Sequence, residues 1–449
     1  MEFEASDSGG PGAAVGSQNA EIADVRGSDP VATRRCRGNR RPMVPGQLRP
    51  TDVIGVFFLF GILFALAGAG LAIANSLDPW PWGRWLALHL LFIGGISQLI
   101  LGASQFFAGA FLATDPPPRR LIRAQVVSWN AGAAILAVGV PSGTRWLTIF
   151  GAALLLAGLA LYATGMGAMR RRSLNSAPWA GRWYLMAAVF FAPGIVAGVA
   201  MANGYVWTHG NLLGAHMVLN LAGWFGTAIV GTLHTFYPSL TRTQLRYPRL
   251  QAPTCTAWGG GVVALALGYS FSFANLATAG WLVLGLGAAL LVVNVLGAVA
   301  AARTPLSLPA RLVGIAQLFL LAGLAAAAVS TIDAGPEGAL VGSTRAVVAT
   351  LLVAGWIGLT VVGSLLHLLA LLNRVRDLRR GMPVDHPRRD GAITAAAGIA
   401  VGGLSVVHLL GGGRSAGVAA ALVLCVYAGL GARVLQLAAL AAIRARPRV

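Results

Sequence analysis

The 449-residue sequence contains no lysine and few charged residues of any kind. All 33 basic residues are arginine. This bias reflects the base composition of the genome and indicates no particular function. Charged residues make up 10% of the chain, against about 25% in an average soluble domain. Hydrophobic residues make up 56%. This composition excludes an ordinary soluble globular protein.

The hydrophobic residues are gathered into twelve long runs. A bilayer's hydrocarbon core is about 30 Å thick, so one helical crossing needs roughly 20 apolar residues. The sequence therefore predicts an all-α integral membrane protein of about twelve transmembrane helices. The predicted spans are 52–76, 86–113, 122–141, 146–168, 183–206, 211–238, 254–274, 277–301, 309–330, 346–373, 391–411 and 416–442.

The first fifty residues differ from the rest of the chain. They are polar, rich in Gly, Pro and Ser, and close with a basic run from Arg34 to Arg41. They lack the apolar stretch of a cleavable signal peptide. We expect residues 1–50 to form a disordered basic cytoplasmic tail and residues 51–449 to form one polytopic transmembrane domain.

The arginines predict the orientation of the spans. With the amino terminus inside, 28 of them fall in segments on the cytoplasmic side. This bias follows the positive-inside rule and predicts a multi-pass protein of the plasma membrane with both termini cytoplasmic. The net charge of +19 follows from the same loops, so the lipid bilayer is the expected partner and nucleic acid is not. The outer loops hold Arg84, Arg145, Arg345 and Arg414.

The predicted spans contain no Asp or Glu apart from Asp52, the first residue of the first span. Buried carboxylates are common in transporters coupled to protons or sodium, so their absence argues against that class. The three cysteines, Cys36, Cys255 and Cys425, indicate no disulfide framework.

A motif recurs along the chain. The sixth predicted span contains Ala-Gly-Trp-Phe-Gly from Ala222, and the tenth contains Ala-Gly-Trp-Ile-Gly from Ala354, 132 residues later. A weaker version, Gly94-Gly95, occurs in the second span. Because equal spacing of similar segments indicates repeated units, we predict three pseudo-repeated four-helix units.

Three histidines are predicted near the outer ends of different spans: His89, His216 and His408. Ionisable residues inside a membrane are costly and are functional candidates. Neutral imidazole binds haem iron and copper, so these three are candidate cofactor ligands. Asn220 lies one helical turn from His216 and could orient its ring. The alternative is that each histidine donates to a neighbouring carbonyl or lies among the lipid headgroups.

Two further histidines, His234 and His367, lie near the inner ends of the sixth and tenth spans. His216 and His234 are 18 residues apart, which is five helical turns, so they share a face but are separated by roughly 27 Å. They cannot bind one metal ion. The metal candidates are therefore His216 at the outer end and His234 with His367 at the inner end. The inner pair could equally extend to the cytoplasmic surface.

A resemblance to known proteins rests on two runs, HLLFIGGISQLILGASQF from His89 and HMVLNLAGWFGTAIVGTLHTFYPSL from His216. They resemble a membrane domain of actinobacterial proteins often labelled copper oxidases. The layout is similar, more distantly, to subunit I of haem–copper oxidases and to the NnrS family linked to nitric oxide stress. This resemblance implies a cytochrome c oxidase subunit I-like fold, with His89 equivalent to a haem ligand and His216 to a copper ligand.

The sequence departs from that family at two places. The span 254–274 contains no histidine, and neither does Arg345–Trp356. Because the family's oxygen-reducing centre uses histidines from these two helices, the departures predict that this centre is absent. The leading hypothesis is a haem- or copper-binding, oxidoreductase-like subunit in electron transfer or nitrogen-oxide redox, served by a redox partner in trans. The alternatives are a cofactor-free permease or efflux protein for a small solute, and a structural or assembly factor whose histidines are inert.

Overall fold

The computed structural model describes residues 50–173, 179–376 and 385–445, and this part of the chain is helical with no strand. The predicted tail, residues 1–50, lies outside the described residues except for Pro50, at which the first helix begins. The twelve long helices of the described part are α1 Pro50–Leu77, α2 Gly83–Phe111, α3 Arg119–Gly139, α4 Arg145–Arg171, α5 Trp179–Ala202, α6 Leu212–Thr241, α7 Gln251–Ser270, α8 Ala274–Ala301, α9 Leu308–Gly338, α10 Gly342–Val375, α11 Pro387–Leu409 and α12 Gly413–Ala445.

Eleven of these helices are long and apolar enough to cross a membrane. The prediction of an all-α membrane protein is therefore confirmed, whereas the predicted count of twelve spans is met by only eleven. The exception is α7, a helix of 20 residues that contains no stretch apolar enough to count among them. Its first turns carry Gln251, Thr254 and Thr256, and three glycines follow at 259–261.

Three helices, α2, α6 and α10, each contain a wider π-helical segment instead of a continuous α-helix. These segments are Leu90–Ile96, Leu219–Gly226 and Thr350–Gly358. In a π turn the backbone N–H bonds to the carbonyl five residues back, so the turn is wider than an α turn. The glycine motifs found in the sequence lie within these segments.

Each π segment has a glycine that packs against a phenylalanine of the preceding helix. A Cβ atom on any of the three glycines would lie under 3.0 Å from the phenylalanine, which is too close for a side chain. Small residues let membrane helices approach in this way. The contacts are Gly94 with Phe64 of α1, Gly223 with Phe190 of α5, and Gly355 with Phe319 of α9.

A backbone carbonyl of each π segment also accepts a hydrogen bond from an aromatic side chain on another helix. Inside a bilayer, backbone polar groups need partners within the protein, because no water is there to serve them. These donors therefore stabilise the π segments. The three bonds join Trp129 Nε1 to the Ile93 carbonyl (3.0 Å), Trp258 Nε1 to the Ala222 carbonyl (3.1 Å), and the Tyr427 hydroxyl to the Ala354 carbonyl.

Candidate functional site

The site candidates depend on α2 and α6, which pack side by side. The indole Nε1 of Trp224 on α6 donates to Ser97 Oγ on α2 over 2.9 Å. The rings of Phe92 and Phe225 pack against each other with their centroids 5.2 Å apart. Both contacts involve residues in or beside the π segments of the two helices.

His89 is the last α-helical residue before the π segment of α2. Its ring stacks on Trp85, with centroids 4.0 Å apart, and its Nδ1 lies 2.8 Å from the Trp85 carbonyl oxygen. A carbonyl oxygen can only accept a hydrogen bond, so the imidazole proton is on Nδ1. The half-buried ring is thus fixed in orientation by its own helix.

His216 lies three residues before the π segment of α6 and faces α5. Its Nδ1 donates to the Gly194 carbonyl over 2.9 Å. Asn220 lies one turn further along, as the sequence predicts, and its Nδ2 donates to the His216 carbonyl over 2.6 Å. A Cβ atom on Gly198 would lie 2.8 Å from Cε1 of the ring, so only glycine leaves room for the imidazole there.

The two histidines share one protonation pattern. In each, Nδ1–H donates to a backbone carbonyl, and Nε2 has no hydrogen-bond partner within the part of the chain that the structure describes. Metal-ligating histidines usually donate their second ring N–H to a carbonyl or carboxylate, which leaves the other nitrogen for the metal. His89 and His216 are therefore in the form that can bind a metal.

His408 is placed elsewhere. It is half-buried near the end of α11, and α11 packs against α9, α10 and α12. Across residues 50–173, 179–376 and 385–445, no three His, Cys, Asp or Glu side chains lie close enough to hold one metal ion. The three outer histidines therefore form no three-residue metal site in this part of the chain.

The inner histidines lie on different sides of α6. His234 is 1% exposed, donates from Nδ1 to the Val230 carbonyl and stacks on Trp183 of α5, with centroids 5.7 Å apart. His367 of α10 instead contacts Phe236. Residues two apart on a helix point in nearly opposite directions, so His234 and His367 are not brought together.

The groups that orient the two candidate ligands could not be predicted from the sequence. The acceptor for His89 is the carbonyl of Trp85 on its own helix, and the acceptor for His216 comes from Gly194 on a different helix. One signal was present: Gly194 and Gly198 are four residues apart, the spacing at which small residues let membrane helices approach closely.

No family model matches the chain, and no curated protein is significantly similar to it. The resemblance to haem–copper oxidase subunit I and to NnrS proteins thus stays a hypothesis. The fold by itself defines the class, a multi-pass all-α membrane protein in a lipid bilayer.

Proposed function

We propose that this protein binds haem iron or copper between His89 and His216 and takes part in electron transfer or nitrogen-oxide redox chemistry. One observation carries the proposal. Both imidazoles, on adjacent helices, donate Nδ1–H to a backbone carbonyl and keep Nε2 free. The two imidazole nitrogens would hold haem iron or copper, for which histidine is a common ligand, and a three-residue metal site would not be required.

The architecture behind this proposal is three related four-helix units, arranged as in subunit I of haem–copper oxidases. Three recurring features support it: the π segments of α2, α6 and α10, the glycine–phenylalanine contacts, and the aromatic donors. Their register supports it as well, because Trp129 and Trp258 are 129 residues apart, and so are their acceptors Ile93 and Ala222. In this arrangement α2 and α6 are equivalent helices, and each supplies one histidine.

A bound metal would supply one-electron chemistry, and the protein's own residues would orient its ligands. The carbonyls of Trp85 and Gly194 hold the proton on Nδ1 of His89 and His216, which keeps each Nε2 lone pair unprotonated. The Trp85 ring covers one face of His89 and limits its rotation. Electrons would come from a separate redox partner. Both termini are assigned to the cytoplasmic side of the plasma membrane by the arginine distribution.

An absorption spectrum and a metal analysis of the purified full-length protein test the proposal. Protein from haem-replete, copper-supplied cells should show a Soret band or stoichiometric copper. His89→Ala and His216→Ala should each lose it, because one remaining ligand binds far more weakly. His386→Ala is the matched control, since this exposed histidine lies outside the spans. A colourless, metal-free wild type would refute the proposal and favour a cofactor-free permease.

A glycine substitution tests the position of His216 without removing it. In Gly198→Ala the new methyl group would lie 2.8 Å from Cε1, so the ring must shift and its bond to the Gly194 carbonyl is strained. We expect a shifted or lost cofactor signal. Gly70→Ala, on an exposed part of α1 with nothing within 4 Å, is the control. An unchanged spectrum in Gly198→Ala would separate His216 from the cofactor.

A further inference from the structure

A cavity lies among α1, α2, α5, α6 and α10, away from the candidate ligands. Its volume is about 70 Å³. On α2, α6 and α10 the lining residues fall within 99–107, 228–236 and 360–368, so all of them follow the π segments. Neither His89 nor His216 lines it.

The cavity wall is mostly apolar. The lining side chains include no charged residue, and the aliphatic and aromatic members dominate. An ion is therefore excluded as the occupant, because a charge without a partner in an apolar surrounding is strongly unfavourable. The apolar residues of the wall include Leu99, Phe107, Leu233, Phe236, Leu365 and Leu368.

Two hydroxyl groups on the wall from α2 and α6 already have partners. Ser104 accepts a hydrogen bond from the Tyr162 hydroxyl (2.8 Å). Thr232 donates to the Ala228 carbonyl (2.7 Å) and bonds the Tyr184 hydroxyl (2.9 Å). These groups have little capacity left for a ligand.

The α10 wall differs. Thr360 is 3% exposed and its Oγ1 is buried without a hydrogen-bond partner in the described part of the chain. Ser364, one turn further and therefore on the same face, also makes no side-chain hydrogen bond within residues 50–173, 179–376 and 385–445. Buried hydroxyl groups are nearly always hydrogen-bonded, so an unpartnered one points to a missing partner.

Size limits what that partner can be. An engineered apolar cavity of about 150 Å³ accommodates benzene, with its six heavy atoms. A cavity of about 70 Å³ therefore has room for roughly two to four heavy atoms.

We propose that this cavity binds a small neutral molecule of the size of a dissolved gas, held by apolar contacts and by a hydrogen bond from Thr360 or Ser364. The site is independent of the cofactor proposal, because it uses none of the histidines. A spectrum without haem or copper would leave it standing.

Xenon and nitrous oxide are suitable probes, the first for the apolar volume and the second for the hydroxyl groups. Crystals of the full-length protein pressurised with xenon should show a xenon peak between α2, α6 and α10. Ala228→Leu should lose the peak, because its added carbons occupy the cavity that Ala228 lines. Ala103→Leu fills the same cavity from α2 if the first variant does not fold.

Thr360→Val with Ser364→Ala separates the hydroxyl groups from the volume. This double variant should keep the xenon peak but lose the hydrogen-bond shift of the nitrous oxide infrared band seen in wild type. Absence of xenon in wild type, or a peak that survives both filling variants, would overturn the proposal. An unshifted nitrous oxide band in wild type would overturn the role of the hydroxyl groups.

Discussion

The aromatic donors to the π segments allow a quantitative comparison between two chemically identical substitutions, Trp129→Phe and Trp258→Phe. Each change removes an indole N–H from a backbone carbonyl inside the membrane domain. The environments differ at Thr227, whose Oγ1 accepts a second hydrogen bond from Trp258 Nε1 over 3.2 Å. The Ala222 carbonyl also accepts a hydrogen bond from Thr227 Oγ1 (3.2 Å), whereas the Ile93 carbonyl has no such side-chain partner among the described residues.

That difference sets the expected free energies of unfolding. Trp129→Phe leaves a buried carbonyl without its donor, which costs about 1–3 kcal/mol. The space vacated by the smaller ring adds about 1 kcal/mol. Trp258→Phe leaves the Ala222 carbonyl with its Thr227 bond, so the hydrogen-bond loss falls to about 0.5–1.5 kcal/mol while the packing loss is the same. We therefore expect Trp129→Phe to be more destabilising by about 1 kcal/mol.

Reversible unfolding in mixed detergent micelles measures both values on the full-length protein. Adding Thr227→Val to Trp258→Phe should raise its cost toward that of Trp129→Phe, because the second donor is then removed too. The control is Thr227→Val alone, for which the Trp258 donor remains. An ordinary surface substitution changes the free energy of unfolding by up to about 0.5 kcal/mol. If the unfolding free energies of the two tryptophan variants differ by less than that, the two carbonyls do not depend on these donors.

Two other packing features yield predictions. Gly223→Ala should lower the free energy of unfolding by about 1–3 kcal/mol through overpacking, because its methyl group would lie 2.7 Å from Phe190 Cβ. The control is Gly260→Ala, which has nothing within 4 Å and should leave the stability unchanged. Equal unfolding free energies of the two variants would contradict this prediction. Gln98→Ala removes an amide pair with Asn130 (3.2 and 3.3 Å) and should cost about 0.6–2 kcal/mol in the same assay, and an unchanged stability would show that the pair is dispensable.

The sequence could predict the helices and the motif spacing but not the π segments. Long apolar runs fix the number and approximate bounds of the helices, because the thickness of the bilayer is a strong constraint. The glycine motifs of α6 and α10 were visible as repeated letters. Whether such a motif widens the helix depends on packing from α1, α5 and α9, and that information is not local to the motif.

The candidate site shows the same limit. Five intramembrane histidines could be identified and assigned to the two ends of their helices from the chain alone. Their partners could not, since the rotation of a helix is set by its neighbours. Both His216 and His234 lie against α5, as their 18-residue interval predicts. His367 lies on α10, one residue out of register with the position of His234 on α6. It contacts Phe236 on another side of α6, and the sequence spacing did not predict this difference.

Whether α7 crosses the membrane decides the topology, and its packing predicts that it does. Its 20 residues span about 30 Å, enough for one crossing. It packs against α8 in an antiparallel register along its length, through Gly261 with Leu284 and Gly268 with Ala277. Because α8 is long and apolar enough to span, α7 beside it must span as well. Single cysteines introduced into a cysteine-free protein at Thr243 and Ser272 should then react with an impermeant reagent from opposite sides. Labelling from the same side would leave only eleven crossings, and the two termini would lie on opposite sides of the membrane.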